Sequence, residues 1–388
     1  MSQSIHWKPV RKRPEAAYVH IPFCAKKCGY CDFNAYSGYK DTTKRRYVAA
    51  LCEEIKCKAE AGPPLSSIFF GGGTPTQLAS RELIEILQTL EQSFGISKDA
   101  EVTVEANPND AKEHDWAALA GAGFNRVSFG VQSFNPSVLK MIDRTHAPDD
   151  AIDAVELVRA QGLTNVSVDL MFGLPRQTLS DWKRTLAAAY ALDLPHLSIY
   201  GLILEEKTPF WGRIQRGRLS LPGDVAQAEM LRLAMDLSAA AGYGRYELSN
   251  YAKGNFQSKH NKVYWANEPY FGFGAGAVGY DNVSRVTNIS RPRLYIDVIL
   301  SGDIKITENA EMPDRLESLG ESMMLGLRLP GGVSFELLSE RYGMDVQAHF
   351  RAALDAGTEA GLLSVNGSQV RLTDHGVFFA SDAMILFL

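Results

Sequence analysis

Ala16-Ala-Tyr18-Val-His20-Ile21 runs without a break into Pro22-Phe-Cys24-Ala-Lys-Lys-Cys28-Gly-Tyr30-Cys31. The first six residues read as a buried strand. The loop behind them holds three cysteines within eight residues, out of five in the whole chain. An odd count and a tight cluster suit metal or cluster ligation in a reducing compartment, not a disulfide framework. Three thiolates from one turn can hold three irons of a cubane cluster and leave a fourth open to an outside ligand. Structural zinc asks for four ligands, usually two spaced pairs. Cys52 and Cys57 lie about 140° apart on a predicted helix over Thr43–Lys58, so they do not complete one site together and read as buried structural thiols.

Outward from this loop the pattern repeats. Strand-like runs at Ser67–Phe70, Glu101–Glu105, Arg126–Val131, Asn165–Phe172 and His196–Gly201 alternate with amphipathic segments at Ser80–Leu90, Lys112–Gly121, Asp149–Ala160 and Ser180–Leu192. Strands interleaved with helices imply a parallel sheet built from right-handed crossovers. A polar or glycine-rich cluster ends nearly every strand: Cys24–Cys31, Gly71–Pro75, Glu105–Pro108 and Gln132, with Asp169 late in the fifth. Active sites of parallel α/β folds gather at that edge. Five strands feeding one rim fit a curved sheet, so the predicted fold is α/β, a partial (β/α)6 TIM-like barrel over residues 16–203.

The 388 residues are 45% hydrophobic and 22% charged, as in a globular protein with ample core. No apolar run is long enough to span a membrane; peripheral membrane contact stays open. The net charge of −5 is spread in mixed signs, without the basic footprint of a nucleic-acid partner. Residues 1–15 carry Lys8, Arg11, Lys12 and Arg13 with no apolar segment behind them, which reads as a solvated tail rather than a secretory signal. The expected address is the cytoplasm. Residues 204–304 form a connecting region of loops and aromatics, with a helix near Val225–Ala241. Residues 305–388 read as a smaller α+β unit. Helices are expected near Pro313–Leu327, Ser334–Tyr342 and Val346–Ala356, and Asn366-Gly367 is the expected turn of a hairpin. That makes a winged-helix-like unit, but six Lys or Arg against twelve Asp or Glu argue against a phosphate partner. A packing or protein-interaction role is expected instead.

Gly71-Gly72-Gly73-Thr74-Pro75 follows a strand, and glycines there allow backbone N–H groups to form an anion-binding nest. No Gly-Lys-Ser/Thr follows, so it is not a P-loop. Glu105, Gln132, Arg144 and Asp169 complete a polar ring. A guanidinium offers a fork for a carboxylate, and Asp169 can accept hydroxyl hydrogen bonds. Gly274-Ala-Gly276-Ala-Val-Gly279 satisfies GxGxxG, but Asn267–Tyr270 reads as loop, so nicotinamide binding is not expected.

The spacing CxxxCxxC, with Tyr30 before the last cysteine, resembles the signature of the radical S-adenosylmethionine (SAM) superfamily. The resemblance implies a [4Fe-4S] cluster on Cys24, Cys28 and Cys31, its open iron chelated by the amino and carboxylate groups of SAM. It implies Tyr30 near the adenine, Tyr18 beside the bound SAM, and Gly72, Gly73 and Thr74 on its methionyl part. His20-Ile-Pro-Phe-Cys24, Cys31-Asp-Phe-Asn34, Ser128-Phe-Gly-Val-Gln132-Ser-Phe134 and Phe172-Gly-Leu-Pro-Arg-Gln-Thr178 are similar to the branch holding oxygen-independent coproporphyrinogen III oxidase and the HemW-type haem chaperones. The likeness runs from about Tyr18 into the C-terminal unit and makes Glu105, Gln132, Arg144 and Asp169 SAM-site residues.

Two features divide that branch. The oxidase has a fourth cysteine where this chain has Phe33, and a longer extension than the 23 residues that precede Cys24 here. His260-Asn-Lys-Val-Tyr264-Trp265 matches the HNxxYW element of the chaperones. Imidazole is a common axial ligand of haem iron and aromatic rings pack on porphyrin, so His260 is the candidate haem ligand. Val278 stands where relatives often carry a second histidine. The resemblance therefore implies a haem chaperone, with haem and a haem-accepting protein as partners and a homodimer as a further allowed state. The rival is a radical SAM enzyme acting on a porphyrinogen. A third reading is a structural metal site in an adaptor protein.

Overall fold

Ala16–Ile21 (β1), Leu65–Gly72 (β2), Ile96–Ala106 (β3), Arg126–Gln132 (β4), Val166–Phe172 (β5) and His196–Gly201 (β6) lie side by side in chain order. Every neighbouring pair among them is parallel. The computed structural model describes residues 11–303 and 305–388. Helices Asp41–Cys57, Ser80–Phe94, Trp116–Ala122, Pro148–Ala160 and Leu179–Ala191 make the crossovers. The fold is the α/β partial barrel with a smaller C-terminal domain.

Alternation along each strand separates two chemistries. Val19, Ile68, Val104, Val127, Phe129, Val168 and Leu197 are buried beneath the helices. The opposite face turns polar groups inward: Ser128 Oγ donates to Asp169 Oδ1 at 2.9 Å, and Ser167 Oγ lies 2.7 Å from His196 Nδ1. Most parallel strands are apolar on both faces. This polar inner face is what a barrel interior with a site at one end requires.

The sheet continues beyond the six strands. Gly244–Arg245 (β7) and Asn250–Ala252 (β8) extend it antiparallel from β6, and Phe271–Phe273 (β9) extends it parallel from β1. β9 corrects one expectation, since a strand does precede Gly274. No helix follows, however; the chain enters Val278–Tyr280 (β10) instead. A side chain at Gly274 would collide with the His20 carbonyl and the Tyr47 hydroxyl, and one at Gly276 with Asn34. Asn34 Nδ2 donates to the carbonyls of Ala275 and Ser290 at 3.0 and 2.9 Å. These glycines make room for the protein's own side chains.

The tail expectation at Lys8 lies outside the described residues. Arg11 and Lys12 are exposed, as expected of a solvated segment, but make surface ion pairs, and only Arg13 is partly buried against the body. Arg11 pairs with Glu60 and Asp281 at 3.3 Å and Lys12 with Glu268 at 2.6 Å, while the Arg13 guanidinium sits over the rings of Phe94 and Phe271.

β10 pairs with Arg285–Asn288 (β11), and β11 with Thr307–Glu311 (β12), so residue 305 falls beside a sheet of the connecting region. The C-terminal unit follows. Helices Arg315–Gly326, Phe335–Tyr342, Val346–His349 and Arg351–Glu359 pack on Val333–Ser334 (β13), Leu363–Asn366 (β14) and Gln369–Leu372 (β15). Leu319, Met323, Tyr342, Leu354 and Val370 form its separate core. Asn366 pairs with Gln369, so the hairpin turns on Gly367 and Ser368 rather than on Asn366-Gly367. Gly367 has φ 57°, the first-position glycine of a type II′ turn. Among the described residues, no helix is long and apolar enough to cross a membrane.

Candidate functional site

The cysteine loop leaves β1 and is pinned where it begins: the Cys24 N–H donates to the Tyr36 carbonyl at 2.9 Å. Next door, the glycine turn is packed hard against it. The Gly73 and Thr74 N–H groups donate to the carbonyls of Ile21 and Phe23, both at 2.8 Å, and a Cβ on Gly73 would lie 2.7 Å from the Phe23 oxygen. Gly72, at φ 112°, directs its N–H to Glu105. The expected anion nest is therefore corrected, because these donors are already spent within the protein. The turn presents a ligand with a side-chain-free surface beside the Glu105 carboxyl, a match for an ammonium group.

A chain of hydrogen bonds then closes around the rim. Cys24 Sγ lies 3.6 Å from Thr74 Oγ1, which accepts from Asn107 Nδ2 at 3.1 Å. Asn107 Oδ1 accepts from Arg144 Nη2 at 2.7 Å, and Arg144 Nη1 donates to Cys28 Sγ at 3.8 Å. Arg144 also bonds the Gly130 carbonyl. Four strand ends are thereby tied to two of the three thiols. Cys24, Cys28, Cys31, Tyr30, Gly72, Gly73, Thr74, Glu105, Gln132, Arg144 and Asp169 all line one cavity of about 460 Å³. Gln132 holds φ 66° there, a left-handed conformation that costs a non-glycine residue energy and is common at functional sites.

Burial controls the charges. It pushes Glu105 up to about 8, reinforced by the neighbouring Asp169, and it raises Asp169 as well. Burial also raises the Cys24 thiol and takes Cys31 to about 11. Burial works against the charge of Arg144, but Tyr30 and Cys28 around it more than compensate, and its pKa rises. Arg144 Nε is buried without a partner.

Three free thiols, an ammonium-compatible carboxyl and an incompletely satisfied guanidinium fit a thiolate-ligated iron cluster with a zwitterionic ligand. Among the described residues, no three His, Cys, Asp or Glu side chains close on a point that would hold a single metal ion. Thiols spread around one loop suit a cluster in which each meets its own iron.

Two expected residues lie elsewhere. Tyr18 sits below the cavity inside the barrel, its hydroxyl 3.0 Å from His20 Nδ1 and its ring stacked on Phe69. His260 is a correction. Helix Lys259–Trp265 inserts it into the opposite end of the barrel, where it is 0% exposed. Its Nδ1 lies 3.1 Å from Ser67 Oγ, its Nε2 2.9 Å from the Tyr264 hydroxyl, and its ring stacks on Phe69. Glu101 accepts from the Ser258 hydroxyl and from the Lys259 and His260 amides at 3.0–3.1 Å. Both ring nitrogens are engaged within the protein and no face of the ring is open to a porphyrin in this structure. Cys57 is also corrected: it is exposed, while Cys52 is buried beside Thr89.

Residue-level reading missed Asn107, although it stands two places after Glu105 in the same strand-end motif. Tyr200, Leu202 and Ile203 at the end of β6 also line the cavity; their strand-end position was the available signal.

This fold and this three-thiol site define a radical SAM protein. The radical SAM superfamily matches residues 18–189, and the HemN C-terminal domain family matches residues 314–379. The chain is 41% identical over 377 residues to "Heme chaperone HemW" of Bacillus subtilis, covering 96% of this chain and 99% of that one. It is 38% identical to the protein of the same name from Synechocystis, covering 84% and 80%. The chain belongs to the HemW family of the radical SAM superfamily. In fold it is similar to the coproporphyrinogen III oxidase HemN of Escherichia coli, with a TM-score of 0.83 over 99% of this chain and 92% of that one, at 22% identity.

Proposed function

We propose that this protein is a haem chaperone of the cytoplasm: it binds haem, hands it to an acceptor protein, and carries a [4Fe-4S] cluster on Cys24, Cys28 and Cys31 with SAM at the open iron. The observation that carries the reading is the convergence of the cysteine loop, the glycine turn and the ends of four further strands on one cavity. When bound, the cluster would supply an open iron for SAM to chelate and the capacity for one-electron chemistry. The chain's own residues do the rest. Glu105, ionised, would accept an N–H hydrogen bond from the SAM amino group, whose lone pair goes to the open iron. Arg144, braced by Asn107 and Gly130, holds the thiolate side of the cradle at Cys28 and offers its free Nε to a carboxylate. Asp169 accepts ribose hydroxyls, and Tyr30, braced edge-on against Phe210, covers the adenine.

The chaperone is favoured over the oxidase at Phe33. The residue standing where the oxidase has its fourth cysteine is 64% exposed and lines the cavity mouth. An apolar ring cannot ligate iron.

The test uses anaerobically purified, reconstituted protein. Iron, labile sulfide, SAM and haem are measured, and haem transfer to an apo-haemoprotein is followed by absorption. Cluster, SAM and transferable haem are the expected result. Cys28→Ser is expected to lose most of its iron while keeping its circular dichroism. Release of 5′-deoxyadenosine with turnover of coproporphyrinogen, or no haem binding at all, overturns the reading.

A further inference from the structure

β7 is an edge strand of the nine-stranded sheet. The Tyr246 N–H donates to the Asn250 carbonyl at 3.1 Å, and the next pair along is Arg245 with Tyr251. Pairs in an antiparallel ladder alternate between bonded and unbonded, so the Arg245 N–H and C=O turn away from β8 toward the open side. An edge of this kind accepts a further strand unless something covers it.

Along this edge runs a groove at the seam between the barrel and the C-terminal unit. Two clefts of about 720 and 330 Å³ adjoin there, and Arg245, Leu329 and Pro330 line both. Neither shares a residue with the cluster cavity. The walls are positive. Lys262 lines the larger cleft, which has no Asp or Glu, and Arg371 lines the smaller, where Asp374 is the one carboxylate. Lys262 and Arg371 are exposed and Arg245 is half-buried. Among the described residues, none of the three makes an ion pair; Lys262 donates only to the Gln257 amide oxygen at 3.3 Å. Arg328, on the same wall, is already held by Glu247. Three uncommitted cations facing one carboxylate stand out in a chain of net charge −5, whose residues 305–388 carry twice as many acids as bases. Leu337, 67% exposed on the wall of the larger cleft, adds apolar contact.

We propose that this groove docks an extended acidic segment of a protein partner, which pairs with β7 at Arg245 and sets its carboxylates against Arg245, Lys262 and Arg371. Strand addition takes affinity from main-chain bonds and specificity from alternate side chains. Acidic residues at every second position of the added strand share one face. Because β7 is short, the charges supply most of the attraction and the backbone pairing fixes direction and register. The inference stands apart from the chaperone reading; under that reading the partner is a haem acceptor.

The test is fluorescence anisotropy of the whole cluster-loaded chain with a labelled short peptide of alternating Glu and Val, beside one of alternating Lys and Val. The acidic peptide is expected to bind, more weakly as salt rises, and to slow amide hydrogen exchange at residues 244–246; the basic peptide is not. Lys262→Glu combined with Arg371→Glu is expected to weaken binding by about tenfold or more, with iron content, SAM content and circular dichroism unchanged. Failure of the acidic peptide to bind, equal binding by the double variant, or unchanged exchange at 244–246 overturns the proposal. So does displacement of the peptide by an equal concentration of inorganic phosphate, which marks a small-anion site. A parent that dimerises in sedimentation while the double variant stays monomeric assigns the groove to a second copy and overturns it as well.

Discussion

Glu105 concentrates the electrostatics of the cavity in one group. Its ordinary value is 4.5, and burial beside Asp169 takes it to about 8. The folded chain therefore holds this proton more tightly than the unfolded chain. The resulting stabilisation is complete below about pH 4.5 and is lost as pH rises toward about 8. Cluster-free Glu105→Gln is expected to melt with the parent near pH 5 and a few degrees above it near pH 8.5, as measured by thermal unfolding. A second expectation concerns the ligand: SAM affinity in the parent should rise from about pH 6 to about pH 8 as the carboxyl ionises, and lose that slope in Glu105→Gln. Isothermal titration at several pH values checks it. Glu105 was legible in the sequence as a strand-end acid. Its protonation was not, because its burial is set by the fold and Asp169 reaches it only across the intervening strand β4.

Helix Lys259–Trp265 carries a motif whose reading changes once its position is known. In sequence, His260-Asn-Lys-Val-Tyr264-Trp265 presents an imidazole beside two aromatic rings, a plausible porphyrin seat. In the fold the helix closes the N-terminal end of the barrel, its cap tied to Glu101 and its histidine bonded to Ser67 and Tyr264. Truncating that ring leaves buried hydroxyls unpaired and opens a void. His260→Ala should cost about 2–4 kcal/mol in urea unfolding, while haem affinity at a temperature where it remains folded stays the same. Burial and the nearby Arg126 hold His260 down at about 3. Its contribution is thus complete above pH 6.5 and lost as pH falls toward about 3, because the unfolded chain takes up the proton first. The acid limb of the parent's stability curve should flatten in the variant. The glycine turn at 71–75 shows the same dependence on context. Its flexibility was legible, but its N–H groups had already been taken by β1 and by Glu105.

At the scale of the whole molecule, the C-terminal unit is joined to the barrel by a few buried polar contacts. Arg328 reaches Glu247 at 3.0 Å and lies over Trp265 at 4.1 Å, while the Glu247 side chain is entirely buried. Arg341 binds Asn267 and Asn282 on the connecting region, whose Arg285 holds Glu321. Removing the cation from a buried carboxylate strands its charge. Arg328→Ala should therefore destabilise the protein by about 3 kcal/mol or more in denaturant unfolding. The same change should make the segment ahead of Asp314 easier to cut in limited proteolysis. A surface pair such as Lys112 with Asp153 should show no comparable effect when broken.

By itself the sequence determined the order of strands and helices, the polar rim at the strand ends and the three-thiol loop. Each of these is a local matter: hydrophobic period, turn chemistry and ligand spacing are written into neighbouring residues. Tertiary structure alone decided which polar groups had already found partners. It took the amides of Gly73 and Thr74, sealed His260 inside the barrel, left Cys57 on the surface and brought β9 alongside β1. A hydrogen bond or a buried contact is settled by what lies opposite in space, and in this chain those partners stand tens to hundreds of residues away.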